Sequence, residues 1–144
     1  MHANHKQLGV IAMGIRKIEH IGIRVSALED SIEFYERIIG MKLLSTIGEV
    51  GDSLRLAFLT FPGQESVEVE LINLREGAEL ANEGKVHHIA FTASDIDEEY
   101  ARISALGLSG LDPEIRSLPN GCRFFFFNGP DGERIEFFQP AFLA

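Results

Sequence analysis

Apolar and polar residues alternate with a period of two from Ile15 to Val25, which puts Ile21, Ile23 and Val25 on one face of a strand and His20, Gly22 and Arg24 on the other. The period then changes. Leu28, Ile32, Tyr35 and Ile39 recur at helical spacing, Ser26 stands three residues before Glu29 as in a capping box, and Gly40 follows as a stop. Further strands are predicted over Met41 to Thr46, Ser53 to Phe61 and Ser66 to Leu74. In the third strand Leu54, Leu56 and Phe58 are set on the helix side, opposite Arg55, Ala57 and Leu59. In the fourth, Val67, Val69 and Leu71 face the helix while Glu68 and Glu70 face away.

After a polar, Gly-flanked stretch the pattern restarts. His88 to Ala93 reads as a strand, Ser94 or Asp95 as a cap, and Ile96, Tyr100, Ile103 and Leu106 as the stripe of a second helix that Gly107 ends. Strands are predicted over Glu114 to Ser117, Arg123 to Asn128 and Arg134 to Gln139. The repeat offset, His20 to His88, is 68 residues. The chain therefore divides into an extension (1–14), a first βαβββ module (15–75), a linker (76–84) and a second module (85–141). Together these form one α+β domain, a cupped mixed sheet with helices on its convex side. Phe124 to Phe127 cannot alternate, so that strand is covered on both faces or lies at an interface. With a sheet face and edge left over in each module, this predicts a homodimer.

Composition narrows the class. At 45% hydrophobic and 24% charged residues, with no apolar run near the ~20 residues of a membrane span, the 144-residue chain is neither disordered nor membrane-embedded. The run Leu8 to Met13 is too short for a signal-peptide core, which predicts a cytoplasmic protein. A net charge of -9 with scattered Lys and Arg argues against nucleic acid as a partner and leaves a small molecule. Cys122, the only cysteine, excludes an internal disulfide and a Cys-rich zinc site, and reads as a strand filler.

Two His and two carboxylates recur at matching places. Glu70 follows His20 by 50 residues and Glu136 follows His88 by 48. A single His opening a strand is ordinarily a core or surface residue, but recurrence in both modules and a shared parity away from the helices point to convergence on one surface. His20, Glu70, His88 and Glu136 suit a divalent first-row metal with positions left for water or substrate oxygens, and the absence of thiolates favours a catalytic over a structural site. Glu68 shares the parity of Glu70 and rivals it. His87 has the opposite parity to His88 and should point away, and His2 and His5 lie in the extension. Arg24, Arg55 and Arg134 are candidates for binding an anionic substrate on the same face.

The segments HIGIRV, SIEFYERIIGMKLL, VEVEL, HHIAF and GPDGERIEFFQ resemble the vicinal oxygen chelate superfamily over about residues 15–140. Glyoxalases, bleomycin-resistance proteins and extradiol dioxygenases belong to it. The first-half pattern, with GMKLL and Arg24, is most similar to lactoylglutathione lyases, with methylmalonyl-CoA epimerases as near relatives. The resemblance implies a lyase or isomerase that holds nickel, zinc, cobalt or manganese through His20, Glu70, His88 and Glu136. It would stabilise an enediolate or enolate of a small substrate such as a thiol adduct of a 2-oxoaldehyde, with Glu136 and its counterpart Glu70 moving the proton. By the same resemblance Arg24 matches a glutathione-carboxylate ligand, whereas the Asn of that pattern is replaced by Leu74, with Asn73 one place early. Epimerisation of an acyl-CoA, with Glu49 near the place of that branch's acid, and non-catalytic binding of a small molecule are the alternatives.

Overall fold

A computed structural model describes residues 14, 18–77, 79–80 and 86–141. His2 and His5, the first predicted strand's start at 15–17, linker positions 78 and 81–84 and residue 85 of the second module lie outside the described residues. The described elements are β1 (His20–Arg24), α1 (Leu28–Phe34) running into a π-helical turn (Tyr35–Ile39), β2 (Lys42–Ile47), β3 (Arg55–Thr60), β4 (Glu68–Asn73), β5 (Ile89–Thr92), α2 (Ile96–Leu106), β6 (Arg116–Ser117), β7 (Arg123–Asn128) and β8 (Arg134–Gln139). They form two four-stranded mixed sheets ordered β1-β4-β3-β2 and β5-β8-β7-β6. In each sheet the first strand runs parallel to the last and the remaining pairs are antiparallel. The sequence repeat is thus a repeat of topology, two βαβββ modules in an α+β fold. No described helix is long and apolar enough to cross a membrane.

Each helix lies on the two central strands of its own sheet. Leu28 and Tyr35 bury against the side of the sheet that carries Ala57, Leu59, Val69 and Leu71; Ile96 and Ile103 do the same over Phe125, Phe127, Ile135 and Phe137. All of these belong to one continuous core, so the modules join on their helix-covered sides. Burial of each such Leu, Ile, Val or Phe side chain contributes about 1.5–3 kcal/mol. Phe61 and Phe91, edge to face at 5.7 Å, bridge the two modules. So do Tyr35 Oη, which donates to Glu133 at 3.0 Å, and Arg102, which donates to the Ile38 carbonyl at 2.9 Å. Gly40 and Gly107 end the helical segments at φ 95° and 65°, left-handed values that glycine adopts without strain.

Two expectations are corrected. In β3 it is Ala57 and Leu59, fully buried, that face the helix, so Arg55 lies on their side and Leu56 and Phe58 fall on the open face. The cause is an ion pair: Arg55 reaches Glu29 of α1 through both terminal nitrogens at 2.6 and 3.2 Å and lowers its carboxyl's pKa. Asp97 of α2 and Arg123 of β7 form the same pair at 2.8 and 2.9 Å. The capping box at Ser26 does not form either. Ala27 precedes α1 without a side-chain cap, while the amide and hydroxyl of Ser26 are both held by Asp131 from the other module. In the second module Asp95 caps α2, accepting from Glu98 N–H at 3.1 Å. The four-Phe strand is aromatic on both faces: Phe125 and Phe127 are core, and Phe124 and Phe126 sit half-buried on the open side beside Phe138.

Candidate metal centre

Strand register places the repeated pairs identically. Gly22 of β1 faces Glu70 of β4, and Ala90 of β5 faces Glu136 of β8. In each case the His two positions earlier lies diagonally beside the carboxylate: His20 Nε2 is 3.8 Å from Glu70, and His88 Nε2 is 3.7 Å from Glu136. At Gly22 the absent side chain leaves room for Ile72, whose Cδ1 would stand 3.1 Å from a Cβ placed there. On the other flank β3 puts Phe58 opposite Glu70, and β7 puts Phe126 opposite Glu136. His88 meets the Phe126 ring edge-on at 5.1 Å. These two Phe were not singled out in the sequence, although they too stand 68 residues apart. The carboxylates are well covered, at 17% and 12% exposure, while the imidazoles stand open at 45% and 36%. Burial pushes the Glu136 carboxyl above its ordinary range, with His88 opposing the shift.

The remaining ring nitrogens are also occupied. His20 Nδ1 lies 3.3 Å from Glu19 Oε1, and His88 Nδ1 lies 2.9 Å from His87 Nδ1. His87 therefore does not point away from the site. It precedes β5, where strand alternation does not yet govern direction.

The two pairs do not meet within the chain: among the described residues no three His, Cys, Asp or Glu side chains are close enough together to hold a metal ion. Topology explains this. The modules join on their helix-covered sides, so the open sheet faces, which carry the pairs, lie away from the shared core. His20 opens edge strand β1 and His88 immediately precedes edge strand β5. In each pair the imidazole stands open at the edge of its sheet and the carboxylate is covered on the neighbouring strand. The donor chemistry fits a divalent first-row ion: two nitrogens and two oxygens, with each Nε2 turned to a carboxylate and each Nδ1 engaged elsewhere.

Of the other predicted residues, Glu68 lies opposite His20 in register, but Glu70 is the carboxylate near its Nε2. Arg24 is exposed at the end of β1 on the open face. Arg134 shares that face with Glu136 yet is committed to the Gly110 carbonyl at 2.8 Å and Asn128 Oδ1 at 2.9 Å, and lies over the Phe126 ring. Arg55 is turned to the helix side. Asn73 is buried and donates to the Val25 and Ser26 carbonyls at 3.0 and 3.1 Å, a structural role. Cys122 is buried just before β7. A cavity of about 560 Å³ lined by Glu29, Asp52, Arg55, Asn73 and Arg75 among others includes none of the four proposed ligands.

Two βαβββ modules, each offering a His and a Glu from the same strand register, define the class. The family model described as Glyoxalase/Bleomycin resistance protein/Dioxygenase superfamily matches residues 17–137, and the chain belongs to that superfamily. It is 46% identical to the uncharacterized protein YwbC of Bacillus subtilis, over 86% of this chain and 98% of that one. It is 34% identical to a lactoylglutathione lyase of Haemophilus influenzae, over 85% and 92% of the two chains. Among solved structures it resembles the trypanothione-dependent glyoxalase I of Leishmania major, with a TM-score of 0.71, 29% identity and 87% of each chain covered.

Proposed function

We propose that this protein is a metal-dependent, glyoxalase-like lyase that isomerises a small substrate such as a thiol adduct of a 2-oxoaldehyde, with its site formed between two copies of the chain. The observation that carries the reading is the repeated His-Glu pair, 3.8 Å apart in one module and 3.7 Å in the other, each open at a sheet edge and neither complete. A two-fold dimer that sets the first open face of one copy against the second open face of the other makes two full sites at once. His20 and Glu70 of one copy, with His88 and Glu136 of a second, would hold one divalent ion: nickel, zinc, cobalt or manganese. When bound, that ion supplies the positive charge that acidifies the C–H bond next to the substrate's oxygens.

The chain's own groups do the rest. Glu136, its pKa raised by burial beside Phe126, is suited to take a proton from one substrate carbon and return it to the neighbouring carbon, with Glu70 as its counterpart across the site. Phe58 and Phe126 limit water around both carboxylates. Arg24, exposed at the end of β1, is placed to meet an anionic group of the substrate. Likeness to lactoylglutathione lyases at about a third identity supports a lyase over a non-catalytic binder. The test is a screen of the metal-loaded protein against hemithioacetals of several thiols and against acyl-CoA esters. Conversion of a hemithioacetal to a 2-hydroxyacyl thioester upholds the reading. Epimerisation of an acyl-CoA alone, or no turnover of either, overturns it.

A further inference from the structure

Both metal-facing imidazoles have their second nitrogen engaged by the residue immediately before them in the chain. Glu19 Oε1 stands 3.3 Å from His20 Nδ1, and His87 Nδ1 stands 2.9 Å from His88 Nδ1. Glu19 and His87 are themselves 68 residues apart, so the contact belongs to the repeat although the side chains differ. An ionised carboxylate only accepts, so the Glu19 contact requires a proton on His20 Nδ1. Between His87 and His88 one ring nitrogen must donate and the other accept. Only one assignment leaves His88 Nε2, the nitrogen 3.7 Å from Glu136, with a free lone pair: Nδ1–H of His88 donates and Nδ1 of His87 accepts.

We propose that Glu19 and His87 are positioning residues that fix the Nδ1–H tautomer of His20 and His88, so that each presents Nε2 as a ready ligand. This rests on the metal reading above. Neither residue touches substrate or ion; each acts through the imidazole it holds. The two half-sites are therefore tuned differently. The charged Glu19 raises the donor strength of His20, whereas the imidazole of His87 orients His88 without adding a negative charge and lies edge-on to Phe126 at 6.5 Å.

The experiment measures the zinc dissociation constant of the purified full-length protein by competition with a chromophoric chelator, alongside ring-nitrogen NMR of the metal-free wild type. Glu19→Ala and His87→Ala should each weaken zinc binding roughly 10- to 100-fold. Glu19→Gln and His87→Asn, which keep an acceptor, should recover most of that loss. The NMR should show His20 and His88 protonated at Nδ1. Unchanged affinity in both alanine variants, or His88 protonated at Nε2 in the wild type, overturns the proposal, and the NMR decides even where a variant fails to fold. His20→Ala and His88→Ala separate the two levels. If they abolish zinc binding while Glu19→Ala and His87→Ala leave the zinc dissociation constant unchanged, only the positioning role fails; if they leave it intact, the metal reading fails and the positioning role with it.

Discussion

Glu136 is held by β8 between Phe126 on one side and the small Ala90 on the other, with His88 Nε2 3.7 Å away. A carboxylate in that setting is suited to move protons, so Glu136→Gln, which keeps one oxygen donor, should lower kcat by roughly 100- to 10,000-fold while lowering metal content far less. Parallel turnover and metal assays decide it; equal losses in both would reduce Glu136 to a ligand. Cys122→Ala should leave turnover unchanged. Alternation in β1, β4 and β8 was strong enough to put His20, Glu70 and Glu136 on the open faces from the sequence alone. It failed at β3, where apolar residues occupy both sides and give no contrast, and where Arg55 is drawn to the helix by Glu29. The correct reading was within reach: Glu29 to Arg55 and Asp97 to Arg123 are both 26 residues, a repeated ion pair. Arg24 and Arg134, by contrast, break the repeat, since their counterparts are Thr92 and Glu68.

At the scale of elements, the start of α1 depends on a turn 105 residues away, which is why local sequence misjudged it. A Ser followed by Glu at capping-box spacing looks self-sufficient, yet Ser26 is bound by Asp131 and Glu29 by Arg55. Asp131→Ala should therefore destabilise the fold by about 0.5–2 kcal/mol, as loss of a helix cap does, lowering the urea midpoint without changing the slope. An unchanged midpoint would show that water replaces the contact. The neighbouring Glu133 accepts from Tyr35 Oη at 3.0 Å and from Asp131 N–H at 2.8 Å, and burial pushes its carboxyl upward. Burial also pushes the Tyr35 phenol up, so it stays protonated and able to donate. A carboxyl whose pKa is raised on folding contributes stability that is present below the unfolded value of about 4.3 and is lost as pH rises through the folded value. Glu133→Gln can accept from Asp131 N–H and donate to Tyr35 Oη while carrying no charge. Its stability relative to wild type should be near parity below pH ~4 and rise with pH through the window above that value. Urea titrations at a series of pH values check this, and a difference independent of pH would sink it.

At the scale of the molecule, the decisive feature is that the helix-covered sides of the two modules are buried together and the two His-Glu pairs are left outside. Ile47 at 54% exposure, with half-buried Leu56, Phe58 and Ile72, makes one open face apolar, and half-buried Phe124, Phe126 and Phe138 do the same on the other. Sequence periodicity placed His20, Glu70 and Glu136 on the open faces but contained nothing about how the modules meet, because the contacts joining them, such as Tyr35 with Glu133 and Phe61 with Phe91, carry no periodic signal. If the site is completed by a second copy, the two modules of one chain never serve the same metal. His20→Ala spoils the first-module half of every site it enters, and His88→Ala spoils the second-module half. Each variant alone should be inactive. When the two are mixed and allowed to exchange, a mixed dimer pairs both lesions in one site and leaves the other with intact His20, Glu70, His88 and Glu136. Random exchange makes about half of the dimers mixed, each with one sound site of two, so activity should return to roughly a quarter of wild type. Recovery on mixing, together with a dimer mass by sedimentation, is the expected result. Two dead variants that stay dead after refolding together as dimers would mean that both halves of the site come from one chain, and the assembly proposed here would have to be abandoned.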